Sequence, residues 1–146
     1  MKEILDEFFR DVTALGSGYI VGGLGLVFLI FGFQAEFFKL MIILVGTYFV
    51  AAIIRFFYFK ERPNGKGYSG IVDKIHNSSF PSVHAGRVVG IAFLLLEMFS
   101  ELSYVLLAVS VAILYSRVYL KKHYWIDIFG GIILGFVVYF VMGMII

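Results

Sequence analysis

The stretch Ser116-Arg117-Val118-Tyr119-Leu120-Lys121-Lys122-His123-Tyr124-Trp125-Ile126-Asp127 closes one apolar run and opens another. His123 and Asp127 stand at i and i+4, so at a helix start they share one face. A carboxylate so placed can accept the imidazole N–H, fix the tautomer and leave the other ring nitrogen free as a nucleophile. His84 follows Pro81, Ser82 and Val83, a sequence suited to a helix start with its free N–H groups. A histidine there can protonate a departing oxygen and then activate water. Arg55, Arg62 and Arg117 add planar forks of donors that match phosphate oxygens. With the Ser82 hydroxyl and backbone donors, they could hold a phosphoryl group and stabilise its transition state. Two histidines and an aspartate could instead ligate zinc, but three guanidiniums nearby would repel a dication. An anion is the better-matched ligand.

These residues are scattered from Arg55 to Asp127 in a chain of 146 residues, so the elements between them must gather them. The chain is 61% hydrophobic, against roughly 45–50% in soluble domains. Its mean hydropathy is +0.96, and a domain this small has too little interior to hide that much apolar surface. Lipid must cover the remainder, which makes the chain an all-α, multi-pass protein of the cell membrane. A net charge of +2 says little about partners, and nothing in the sequence points to nucleic acid. The absence of cysteine excludes disulfides, thiolate catalysis and cysteine metal sites. No cleavable signal peptide is expected, because the first residues mix acids and bases without a small-residue cleavage site.

Residues 1–15 carry an apolar stripe of Ile4, Leu5, Phe8, Phe9, Val12 and Leu15 among charges, which predicts an amphipathic helix lying in the interface. About five spanning helices follow, near 17–34, 37–59, 82–99, 102–120 and 125–146, each near the ~20 residues a crossing needs. Residues 60–80 read as a polar loop and 121–124 as a short charged link. The pairs Gly18/Gly22 and Gly131/Gly135 predict close packing of neighbouring helices rather than a dedicated dimer motif. A single membrane-embedded domain over 1–146 is expected, with monomer and homodimer both open.

Parity then does the gathering. If the second span ends near Phe59, the third and fourth make a round trip, and the fifth leaves from the same side. Arg55, Arg62, His84, Arg117, His123 and Asp127 therefore converge at one face. Of 12 Lys and Arg, all but Lys39 fall on that side. The opposite face receives Glu36, Lys39, Glu97 and Glu101. Ionisable residues at the edges of spanning helices are costly, so their default reading is functional. His76 matches no pattern and reads as a loop residue, while Arg87 reads as a snorkelling side chain or a contact behind the site. Lys60, Lys66, Lys74, Lys121 and Lys122 either steer an anionic headgroup or face solvent.

At this point the sequence resembles the type 2 phosphatidic acid phosphatase superfamily, membrane lipid phosphatases related to vanadium haloperoxidases. The family's K-x6-R-P block appears as RFFYFKERP, with Arg55 in the lysine position and Arg62-Pro63 at the family spacing. Its P-S-G-H block appears as Pro81-Ser82-Val83-His84, and S-R-x5-H-x3-D is complete in Ser116, Arg117, His123 and Asp127. The resemblance covers a motif core of about 50–135. It implies a haloperoxidase-like helical bundle in which His123, held by Asp127, forms a phosphohistidine and His84 acts as acid and then base. It also implies a phosphate cradle of Arg55, Arg62, Ser82, Arg117 and the backbone of Val83, with no metal or other cofactor.

The chain departs from the family pattern in Arg55 for Lys and Val83 for Gly, and in having five spans where six are common. The function so implied is removal of a phosphate from a lipid mono- or diphosphate. Isoprenoid diphosphates, such as the polyprenyl carriers of glycan assembly, and phosphatidic-acid-like glycerolipids are the substrates to weigh. A phosphotransferase passing the phosphoryl group to an acceptor alcohol, and a non-catalytic lipid or anion translocator, are the alternatives. The lysine-rich face is cytoplasmic by the positive-inside rule, whereas many relatives resemble outward-facing enzymes.

Overall fold

The computed structural model describes residues 1–65 and 67–145; Lys66, read above as a headgroup-steering lysine, lies outside them. Seven α-helices are described: α1 (Lys2–Ala14), α2 (Gly18–Ile30), α3 (Gln34–Phe57), α4 (Ile71–Asn77), α5 (Val83–Met98), α6 (Ser103–Tyr119) and α7 (Trp125–Ile145). A 3-10 turn over Ser100–Leu102 leads into α6. The protein is a multi-pass, all-helical membrane bundle, as the hydropathy requires.

The expected count of about five spans resolves into unequal parts. The 24 residues of α3, the 20 of Ser100–Tyr119 and the 21 of α7 are each long and apolar enough to cross a bilayer. Helices α1 and α2 pass that test together, as a pair bent by 44°. Helix α5 has only 16 residues, about 24 Å at ~1.5 Å per residue, because caps fix both of its ends. The Ser82 hydroxyl accepts from the Ala85 N–H at its start, and Phe99 breaks the helical backbone at its end. It still connects the two ends of the bundle. Its last turn carries Glu97, which pairs with Lys39 of α3 at 3.1 Å, far from the arginines.

Helix α1 leaves most of the predicted interfacial stripe exposed, at Ile4, Leu5, Phe8 and Leu15, and turns Phe9 against α6. The Phe9 ring lies 4.3 Å from that of Tyr119 and 5.5 Å from that of Tyr115. The Tyr119 hydroxyl donates to Asp6 at 2.9 Å. The polar stretch 60–80 is likewise not wholly loop, since it contains the short helix α4.

The long helices bury one stripe and leave the rest to lipid. In α7 the buried residues are Asp127, Ile128, Gly131, Leu134, Gly135, Val138 and Met142, a spacing of three and four that keeps to one face. Ile133, Val137 and Phe140 on the other faces are exposed, as lipid-facing residues are. Val21, Phe28, Leu40, Ile43, Leu94 and Met142 form a core toward the Lys39–Glu97 end. Ala51, Leu134 and Val138, with Val83 against them, form a second cluster beneath the arginines.

The two glycine pairs part ways. A Cβ on Gly131 would collide with the Ser82 carbonyl oxygen and Ala85, and one on Gly135 with the Gly86 carbonyl. Here α5 and α7 touch backbone to backbone, which only small residues permit. A Cβ on Gly22 would meet nothing within 4 Å, and one on Gly18 would touch only Arg87, at 3.5 Å. The Gly18/Gly22 pair therefore packs no helix. Gly131→Ala is expected to lower stability by about 1–3 kcal/mol, the usual range for overpacking, whereas Gly22→Ala leaves it unchanged or slightly higher. Thermal unfolding of the two variants in the same detergent checks this.

Candidate active site

The first turn of α7 is tied directly to the cap of α5: the Ser82 N–H donates to the Asp127 carbonyl oxygen at 3.0 Å. This bond, and the glycine contact below it, set His84 and His123 at one end of the bundle. His123 is held from its other side by the link out of α6. Lys121 adopts a left-handed φ of 53°, and the N–H groups of Lys122 and His123 both donate to the Arg117 carbonyl, at 3.0 and 3.2 Å.

A cavity of about 200 Å³ opens at this end, lined by Arg55, Arg62, Val83, His84, Arg117 and His123. Tyr48, His76 and Arg87 complete its wall. The residues singled out from sequence thus meet at one place, with two exceptions. Ser82 is fully buried and caps α5, and Asp127 is fully buried behind His123. Val83, in the family's glycine position, is the first residue of α5 and helical. Among the described residues, Lys121 is the sole non-glycine residue with positive φ, so the position makes no demand that valine fails to meet.

Each arginine is oriented by oxygen atoms that carry no full charge. Arg55 donates through Nη1 to the Ile75 carbonyl at 2.9 Å and through Nη2 to the Pro81 carbonyl at 2.7 Å. Arg62 donates to the His76 carbonyl at 2.9 Å. Both Ile75 and His76 lie in the last turn of α4, where carbonyls lack helical partners and the helix dipole is negative. Arg117 donates to the Thr13 hydroxyl at 3.2 Å, which brings the end of α1 to the site. Lysine in place of Arg55 would have one head to offer two carbonyls, which accounts for arginine here.

Asp127 faces three partners. Its Oδ1 accepts from Lys60 Nζ at 2.6 Å, while its Oδ2 accepts from the Tyr124 N–H at 2.8 Å and lies 3.8 Å from His123 Nδ1. The His123 contact is an electrostatic approach rather than a formed hydrogen bond. It points Nδ1 at the carboxylate and leaves Nε2 as the ring's other nitrogen. His84 Nε2 is buried without a hydrogen-bond partner and packs against Gly16, where a Cβ would collide with it. The turn between α1 and α2 therefore covers His84.

Sequence reasoning misses Tyr48, Thr13 and His76 as parts of this site, and reaches Arg87 only as a candidate contact behind it and Lys60 only as a candidate headgroup-steering lysine. Arg87 is three residues beyond His84 on α5, and that helical spacing was the one available signal. The others come from helices and loops whose proximity only the fold supplies. Among the described residues, no three His, Asp or Glu side chains stand close enough together to hold a metal ion.

The fold and site define a multi-pass helical membrane protein with a cavity at one end lined by four arginines and three histidines. The chain belongs to the PAP2 superfamily, whose family model matches residues 36–145. No curated protein sequence gives a significant match. Two solved structures share the fold. Aquifex aeolicus LpxE superposes with a TM-score of 0.79 at 22% identity, covering 97% of this chain and 86% of that one. The PAP2 type phosphatidylglycerolphosphate phosphatase from Bacillus subtilis gives a TM-score of 0.72 at 20% identity, covering 97% and 76%.

Burial lowers the pKa of His123 from 6.5, with Arg117 and Arg62 adding to the effect and Asp127 opposing it. The imidazole is accordingly neutral at pH 7. Histidine nitrogen NMR in detergent is expected to show a His123 midpoint below 6.5, and a midpoint above it would contradict this electrostatic account.

Proposed function

We propose that the protein is a metal-independent lipid phosphate phosphatase working through a phosphohistidine. The observation that carries this reading is the meeting of three guanidiniums and two histidines from separate elements around one cavity. Guanidiniums held by carbonyl and hydroxyl oxygens keep their full charge for a phosphoryl group. His123 Nε2 attacks phosphorus, and Asp127 steadies the ring through Nδ1. His84 protonates the leaving oxygen and then takes a proton from the water that hydrolyses the intermediate. Arg62 and Arg117 stabilise the charge that develops on the equatorial oxygens.

An apolar cleft of about 200 Å³ supports a lipid as the substrate. It is lined by residues of α2, α5 and α6, including Ile20, Leu24, Val88, Ile91 and Ile113, and it ends at Leu15 and Gly16. Gly16 lies against the His84 ring, so a tail in the cleft meets the site on the side of the proposed proton donor.

Purified protein in detergent with a chelator present is expected to release phosphate from a lipid phosphate. His123→Ala lowers kcat by about a thousandfold or more. A denaturing quench of the wild-type reaction at alkaline pH, where a phosphoimidazole persists, traps phosphate on His123. Because a protonated imidazole has no lone pair to attack with, kcat/KM falls as pH drops through the lowered His123 value. Undiminished activity in His123→Ala, or an absolute need for a divalent ion, would overturn the mechanism.

A further inference from the structure

The arginines around the cavity are not equally committed. Both terminal nitrogens of Arg55 are bound to backbone carbonyls, and Arg62 and Arg117 each use one. Arg87 makes no hydrogen bond among the described residues, and its Nε is buried without a partner. It is a guanidinium facing the same cavity with its fork of donors unused.

Its place along the cavity says what it would hold. His123 stands with Arg62, Arg117 and Asp127. His84 is within electrostatic reach of Arg117 and His123 and also of Arg87. Arg87 lies one turn beyond His84 along α5, and its Nη1 stands 3.5 Å from where a Cβ on Gly18 would sit, next to Gly16, Ile20 and Val88, which line the apolar cleft. In an in-line displacement the nucleophile, phosphorus and leaving oxygen lie on one line, and the acid stands beside the leaving oxygen. A cation past the acid therefore lies on the leaving-group side. For a lipid monophosphate that group is a neutral alcohol, which gives a guanidinium nothing to pair with. For a lipid diphosphate it is the inner phosphate.

We propose that Arg87 binds the inner phosphate of a lipid diphosphate, making the preferred reaction diphosphate to monophosphate. The assignment rests on the phosphatase reading above and names its substrate class. In the step, His123 Nε2 forms a bond to the outer phosphorus and the bridging P–O bond breaks. The electron pair goes to the bridging oxygen, which takes the His84 proton and leaves as the lipid monophosphate held by Arg87. Water then attacks the phosphohistidine and returns its proton to His84, releasing inorganic phosphate. Charge balance agrees: Lys60 already offsets Asp127, so four guanidiniums face the cavity without a carboxylate of their own.

The test compares a prenyl diphosphate with the prenyl monophosphate of the same tail, in chelator, on wild-type protein and R87Q. The wild type is expected to favour the diphosphate in kcat/KM by about tenfold or more, and R87Q to lose most of that preference. A preference unchanged in R87Q, or a wild-type ratio near one, overturns the assignment. Folded wild-type protein that turns over neither prenyl substrate overturns this assignment, and failure on phosphatidic acid as well removes the phosphatase reading. Should R87Q fail to fold, inhibition of the wild type decides. Methylenediphosphonate is expected to inhibit monophosphate hydrolysis about tenfold more tightly than inorganic phosphate, and equal inhibition overturns the proposal.

Discussion

The structure depends on the contact between α5 and α7. Gly131 faces the Ser82 carbonyl and Gly135 the Gly86 carbonyl, so the two backbones approach more closely than any side chain would allow. At the top of that contact the Ser82 N–H is bound to the Asp127 carbonyl. The starts of the helices at Val83 and Trp125 are thereby fixed together, which brings His84 on the first and His123, two residues before the second, to the same place. A methyl group at Gly131 would part the two histidines as it parted the helices. Small residues in the apolar interior and chemistry at the membrane edge are thus one design.

The second governing fact is the imbalance of charge. Among the described residues, Asp127 is the one carboxylate buried at the site, and Lys60 is bound to it at 2.6 Å. That pair is close to self-neutralised, so Asp127 reaches His123 as an orienting acceptor and contributes little net charge to the cavity. The partial desolvation of Arg62, whose pKa burial lowers, is the cost of keeping cations together without counter-ions. Such an arrangement is poorly explained by stability alone and well explained by an anionic ligand.

Much of this was legible in the sequence, for definite reasons. Segment length and parity were enough to bring Arg55, Arg62, His84, Arg117 and His123 to one end, because a chain that crosses a bilayer has only two ends to choose from. Motif spacing identified the particular residues. What stayed hidden was which helix neighbours which. Gly18/Gly22 and Gly131/Gly135 have the same spacing, yet only the second pair meets another backbone. Nothing near Lys60 in sequence marks it as the partner of Asp127, and Tyr48 lies amid an apolar helix. The stretch 60–80 looked structureless because its helix is only seven residues long, too short for periodicity to register.

That short helix has one more consequence. Arg55 and Arg62 are held at its C-terminal carbonyls, and among the described residues no acidic side chain serves as their resting partner. In many anion sites an internal carboxylate occupies the arginine until ligand arrives, and entry requires one ion pair to be exchanged for another. On the proposed reading, an arriving anion would meet guanidiniums held only by carbonyls, and occupancy would change without one ion pair being exchanged for another.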